Sequence, residues 1–146
     1  MTLYLDTSSL VKLYVAEVGS HDVRDLVARA TIVTTSMIAY PEARAALARR
    51  RREGALRPAA LAAAKRALED DWSRYLAVGV TEMLCRAAGD LAERYQLRGY
   101  DSVHLACFLQ VARRAGPDDT EFSSFDDRLN HAAASAARAL ARARRV

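Results

Sequence analysis

The stretch Leu3-Tyr4-Leu5-Asp6-Thr7-Ser8-Ser9-Leu10-Val11-Lys12-Leu13-Tyr14 decides how this chain folds. An apolar, β-leaning run stops at a carboxylate. A hydroxyl-rich turn then opens a helix whose Leu10, Val11, Leu13 and Tyr14 recur at helical spacing. Asp6 is therefore expected at the carboxyl end of a strand, and open α/β sheets bind their ligands in the crevice outside those ends. Aspartate is equally a favoured helix N-cap, so this stretch alone leaves both roles open for Asp6.

Outward from it, strand-like and helix-like segments alternate. Gly19 stops the first helix and Ser20 caps a second, His21 to Ala30, with Val23, Leu26 and Val27 on one face. The β-branched run Thr31-Ile32-Val33-Thr34-Thr35 predicts a second strand. Ser36 caps a helix that runs to Arg49-Arg50-Arg51-Arg52 and closes near Gly54; Pro41 inside it requires either a kink or a later start. Pro58 opens an Ala-rich helix to about Leu76, Ala77-Val78-Gly79-Val80 reads as a short strand, and Thr81 caps Glu82 to Tyr95, closed around Gly99. Asp101 starts a helix that is apolar through Val103-His104-Leu105-Ala106-Cys107-Phe108-Leu109, the pattern of a buried one. After the turn Gly116-Pro117-Asp118-Asp119, the run Thr120 to Phe125 reads as a fourth strand ending in Asp126. Ala132 to Val146 is Ala and Arg with little apolar bulk, a helix extension or a frayed basic tail from about residue 135.

Helices between strands imply right-handed crossovers and a parallel sheet. The expected architecture is an α/β three-layer sandwich, with a short, mainly parallel sheet of four or five strands flanked by helices, in one domain over residues 1–146. At 146 residues, 51% hydrophobic and 27% charged, the chain suits one sizeable core. No run approaches the ~20 apolar residues that span a bilayer and no charged region precedes the first apolar run, so a cytoplasmic protein without a membrane segment is expected. Cys85 and Cys107 have no metal spacing and read as reduced thiols acting as small hydrophobes. The net charge of +4 comes almost wholly from Arg, since Lys12 and Lys65 are the only lysines, and it suits a polyanionic partner.

The chemistry lies in acids that are out of place. Glu69-Asp70-Asp71, Asp118-Asp119 and Glu93 beside Arg94 are ordinary surface charge. Asp6 and Asp126, in contrast, each end an apolar strand. Glu42 falls on the row Ile38, Glu42, Ala45, Arg49, where it interrupts the face expected to pack on the sheet. Asp101 opens the buried helix, where the helix dipole favours its charged form. Four carboxylates drawn to one sheet edge repel one another and lose solvation unless a cation sits among them. With oxygen ligands only, that cation is Mg²⁺ or Mn²⁺ rather than zinc. Such a site binds a phosphodiester, activates water and stabilises the leaving oxygen.

In order, LDTSSLVKLY, Glu42 in MIAYPEARAALARR, RGYDSVHLA and FSSFDDRLNHAA resemble the PIN-domain nucleases, and most closely the VapC toxins of bacterial toxin-antitoxin pairs. The resemblance runs from residue 3 to about 134. It implies that Asp6, Glu42, Asp101 and Asp126 hold Mg²⁺ or Mn²⁺, with Ser124 at the small hydroxyl position two before the last acid. It further implies an endoribonuclease acting on structured RNA, usually dimeric and held inactive by a VapB antitoxin. Asp127 directly follows Asp126, Pro41 directly precedes Glu42, and the chain after Asn130 lacks the short apolar final strand of many relatives.

Other residues have plainer readings beside functional ones. Thr7 and Ser8 either support the site or only cap a helix. Arg49 to Arg52 is a solvated helix end that also lies within reach of RNA phosphates. Tyr4, Tyr14 and Tyr40 read as core or dimer packing before base stacking. His104 reads as a satisfied core histidine, and His21 and His131 as surface residues. Two competing functions stay open: a phosphatase with Asp6 as nucleophile, although Ser8 stands where its DxD motif needs a second Asp, and a binding module with a degenerate site.

Overall fold

The computed structural model describes residues 1–145. Its centre is a parallel four-stranded sheet made of β1 (Thr2–Leu5), β2 (Ile32–Ser36), β3 (Leu76–Val78) and β4 (Thr120–Ser123), in the order β3-β2-β1-β4. The helices are α1 (Thr7–Val11), α2 (Ser20–Arg29), α3 (Ala39–Arg52), α4 (Pro58–Trp72), α5 (Glu82–Tyr95), α6 (Gly99–Ala115) and α7 (Asp127–Arg144).

Alternation along β1 divides the molecule. Leu3 and Leu5 face a core formed with α1 to α4, where Leu10, Val11, Val23, Ala43, Leu47 and Leu68 are buried. Tyr4 faces the opposite core, formed with α5 to α7, and packs its ring against Phe108 and Phe122. Every residue of β1 is buried, as a central strand covered on both faces requires. The three-layer α/β sandwich expected from the sequence is therefore the fold, with four parallel strands among the described residues.

Strand order also locates a crevice. The chain steps from β1 outward to β2 and β3, then returns to place β4 on the other side of β1. The helix after β1 packs into one core and the helix after β4 into the other. The carboxyl ends of β1 and β4 thus flank a topological switch point, where α/β sheets open a ligand site.

Several boundaries differ from the sequence expectation. Helix α3 starts at Ala39, so Pro41 lies in its first turn, where the missing N–H leaves no helical bond unmade, and no kink is needed. Its buried row is Ala39, Ala43 and Leu47; the row carrying Glu42 flanks that face instead of lying on it. Helix α5 is capped by Thr81 as expected, but closes at Gln96 in a left-handed conformation, and Gly99 opens α6. Strand β4 ends at Ser123, so Asp126 stands beyond the strand, as the N-cap of α7. The expected basic tail is the body of α7 as far as Arg144, with Ala132, Ala133 and Ala136 buried; Val146 lies outside the described residues. Cys107 is a buried free thiol, whereas Cys85 is exposed because α5 turns only one stripe inward. Among the described residues, no helix is long and apolar enough to cross a membrane.

Candidate acidic site at the switch point

Asp6 is 5% exposed and fully engaged. Its Oδ1 accepts from Ser8 Oγ at 2.6 Å and from the Ser9 amide at 3.1 Å, and its Oδ2 accepts from Ser124 Oγ at 2.8 Å. The cap and the buried carboxylate are therefore one residue in both roles. The loop after β4 is stitched to the same point. Ser8 Oγ accepts from the Phe125 amide at 2.9 Å, and Ser124 Oγ accepts from the Asp126 amide at 3.0 Å. Asp126 caps α7 through Oδ1, which accepts from the Leu129 amide at 2.9 Å.

Asp101 enters from the first turn of α6. Burial and the charges of Asp126 and Asp6 push its carboxyl above the usual range, against the nearby Arg98, whose Nε is 3.9 Å away. Asp101 thus lies within electrostatic reach of two acids from separate elements. Asp101, Asp126, Asp127, Arg98 and Arg128 line one cleft; Asp101 also borders a second, of about 720 Å³, together with Glu42 and the facing sides of α5 and α6.

Glu42 comes from the first turn of α3. Burial alone would push its carboxyl up, but hydrogen bonds from His104 and Thr7 outweigh this and hold it below the usual range. Its Oε1 accepts from Thr7 Oγ1 at 2.7 Å and lies 2.7 Å from His104 Nε2. The sequence predicts a core residue at His104; it is buried, and it also lies within hydrogen-bonding distance of a site acid. The available signal was its position one turn beyond Asp101, as the one ring able to hydrogen-bond inside an apolar helix run.

The arginine block divides. Arg50 makes a two-point contact with Glu17, and Arg49 pairs with Glu53, while Arg51 and Arg52 are exposed. All four lie at the far end of α3, on the order of 10–15 Å along the helix from Glu42. The basic groups bordering the acids are Arg98 and Arg128, which no motif in the sequence singles out. Tyr14 and Tyr40 are spent on packing: Tyr14 bonds Asp71, and Tyr40 bonds Glu69 beside Trp72.

The donor set suits a hard cation. It is all oxygen, and among the described residues no ion pair neutralises Asp6 or Asp126. Among the described residues, no group of three or more His, Cys, Asp or Glu side chains is drawn close enough to hold a metal ion by itself. Mg²⁺ does not require such a group, since it keeps several waters and takes one or two carboxylates together with substrate phosphate.

The chain belongs to the PIN-domain family, which matches residues 3–135, and the parallel sheet flanked by helices is consistent with it. Within that family it is VapC-like. It is similar to Ribonuclease VapC45 and Ribonuclease VapC49, from two strains of Mycobacterium tuberculosis; each is 41% identical over 109 residues, or 75% of this chain and 76% of the relative.

Proposed function

We propose that the protein is an endoribonuclease that hydrolyses RNA phosphodiester bonds with Mg²⁺ or Mn²⁺ at Asp6, Glu42, Asp101 and Asp126. In this reading it is the cytoplasmic toxin of a VapBC-type pair, acting as a homodimer and restrained by a VapB-like antitoxin. The observation that supports the site is that Asp101 lies close enough to Asp126 and Asp6 for burial and their charges to push its carboxyl up, while Asp6 is buried and, among the described residues, has no cationic partner. The ribonuclease names of the relatives support the activity.

A divalent cation supplies Lewis-acid charge to a phosphodiester there and makes water a competent nucleophile. The chain's own groups set the geometry. Ser8, Ser9 and Ser124 fix both oxygens of Asp6, which leaves it poorly disposed as a covalent nucleophile and argues against the phosphatase alternative. Glu42 is kept anionic, as a ligand or proton acceptor must be. Asp127 faces the same cleft as Asp126 but leaves the capping bond to it.

The test is direct. The purified full-length chain is incubated with labelled RNA in EDTA, and then with Mg²⁺ or Mn²⁺. Cleavage is expected only with the metal. Cutting that persists in EDTA overturns the metal assignment, and RNA bound but uncut under every condition favours a binding module.

Arg98 and Arg128 flank the acids and are the expected phosphate contacts. Arg98→Ala and Arg128→Ala should each weaken binding of single-stranded RNA in EDTA, and each should reduce the slope of log affinity against log salt by about 0.7. Arg50→Ala should leave the slope unchanged, because that side chain is committed to Glu17. Fluorescence anisotropy across a salt series reads both.

A further inference from the structure

The buried face of α6 carries a hydrogen-bonded chain that ends on a site acid. Tyr4 is fully buried on the central strand, and its hydroxyl lies 2.9 Å from His104 Nδ1. His104, 2% exposed, places Nε2 at 2.7 Å from Glu42 Oε1 and 3.1 Å from Thr7 Oγ1. Thr7 donates to the same Oε1 at 2.7 Å. Among the described residues, Glu42 Oε2 takes no hydrogen bond, and Glu42 borders the cleft it shares with Asp101.

We propose that His104, backed by Tyr4, is a positioning residue that anchors Glu42 through Oε1 and so presents Oε2 alone to the cation. This rests on the metal-site reading above. The proton positions follow from chemistry. An ionised carboxylate only accepts, so Nε2 carries the hydrogen that reaches Oε1. Nδ1 faces the Tyr4 hydroxyl, which donates to it when the ring is neutral and accepts from it when the ring is charged. Burial pushes the Tyr4 phenol well up, so it keeps its proton. The ring is held in turn: Tyr4 meets it edge-on at 6.0 Å, and Tyr4 itself stacks on Phe122 at 5.6 Å. A floor of packed aromatics thereby fixes the angle of a carboxylate on a different helix. This serves an acid in the first turn of α3, where Ile38 offers no side-chain cap to stiffen the helix start.

The outer partners of metal ligands typically contribute about 10- to 100-fold to affinity or activity. The experiment measures Mn²⁺ binding to the full chain by calorimetry without RNA, and the Mg²⁺ concentration that half-saturates RNA cleavage. His104→Ala should weaken Mn²⁺ binding about 10-fold or more and raise the Mg²⁺ requirement in step, with cleavage at saturating Mg²⁺ restored to within a few-fold. His104→Gln, whose amide N–H reaches towards the same oxygen, should recover most of the affinity. Tyr4→Phe keeps the aromatic floor and should cost about 3-fold, which serves as the readout if His104→Ala does not fold. A residue that only fills the core would lower thermal stability without moving the metal titration. Unchanged Mn²⁺ affinity in folded His104→Ala, or in Tyr4→Phe where His104→Ala is unfolded, overturns the proposal. If Asp101→Asn is still weakened in that case, the metal site stands; if Asp101→Asn also binds Mn²⁺ normally, the metal site falls as well.

Discussion

Asp6→Asn and Asp101→Asn should each reduce RNA cleavage by about 10³-fold or more while the chain stays folded. Charge stabilisation by a bound cation is worth several kcal/mol, and each ~1.4 kcal/mol is tenfold in rate. Their effects on stability should have opposite signs. At Asp6 three donors, from Ser8, Ser9 and Ser124, converge on the two carboxylate oxygens, so an amide turns its NH₂ towards one of them and weakens that buried bond. That costs about 1–3 kcal/mol. At Asp101 the carboxyl is pushed up by burial and by the charges of Asp126 and Asp6, so its ionised form opposes folding. Asparagine removes that charge, and the metal-free variant should melt a few degrees higher than the unsubstituted protein.

The pH dependence gives a second check. A carboxyl whose folded pKa is raised destabilises when it is ionised, above that pKa, and the penalty disappears as falling pH protonates it in the folded state. The gain from Asp101→Asn should therefore be present at neutral pH and vanish on acidification. Added Mg²⁺ should raise the melting temperature of the unsubstituted chain and leave Asp101→Asn nearly unmoved. Calorimetric scans with and without Mg²⁺ across pH decide this. Wild-type cleavage by either variant, or Asp101→Asn melting lower than the unsubstituted chain at neutral pH, would contradict the account of the site.

The readable parts of this chain were those where one local rule dominates. β1 is a four-residue buried strand followed by a cap, and its apolar letters have no other stable use. Thr81 before Glu82 and Pro58 at a first turn mark helix starts by chemistry that tertiary packing did not override. What the letters could not carry was phase. The row Ile38, Glu42, Ala45, Arg49 reads as the face packed on the sheet, yet the row of Ala39, Ala43 and Leu47, one position on, is the one turned inward. The run Thr120 to Phe125 reads as one strand ending in Asp126, but β4 stops at Ser123, beyond which the Phe125 and Asp126 amides donate to Ser8 and Ser124 Oγ. His104 and Glu42 are 62 residues apart, and nothing in local spacing links a histidine on α6 to an acid on α3. The same limit hid Arg98 and Arg128 behind the more conspicuous run of arginines in α3, where Arg50 serves Glu17.

Gly19→Ala should be the most damaging small change away from the acids, lowering stability by about 3 kcal/mol and the melting temperature by about 8 °C. Gly19 caps α2 with φ of 91°, a conformation that costs a side-chain-bearing residue about 1–3 kcal/mol. A Cβ there would also lie 2.5 Å from Phe125 Cε1 and 2.6 Å from Cζ, so the ring must move, adding about 1–3 kcal/mol. Phe125 is half-exposed, so its ring swings outward, at the cost of its contact with Lys12, whose Nζ sits 4.4 Å from the ring centroid and is tied to Glu17 at 3.1 Å. Because Phe125 stands between Ser124, which bonds Asp6, and Asp126, which caps α7, displacing it disturbs two acids together. Cleavage should fall about tenfold at temperatures where the variant is still folded. Gly54→Ala is the control: φ there is 79°, but nothing lies within 4 Å of the added carbon, so it should cost stability and leave cleavage intact. In a double-mutant cycle, Phe125→Ala should recover part of the stability lost in Gly19→Ala, because the clash has gone and the strain remains. Purely additive effects would show that the turn at Gly19 and the loop carrying Asp126 are independent.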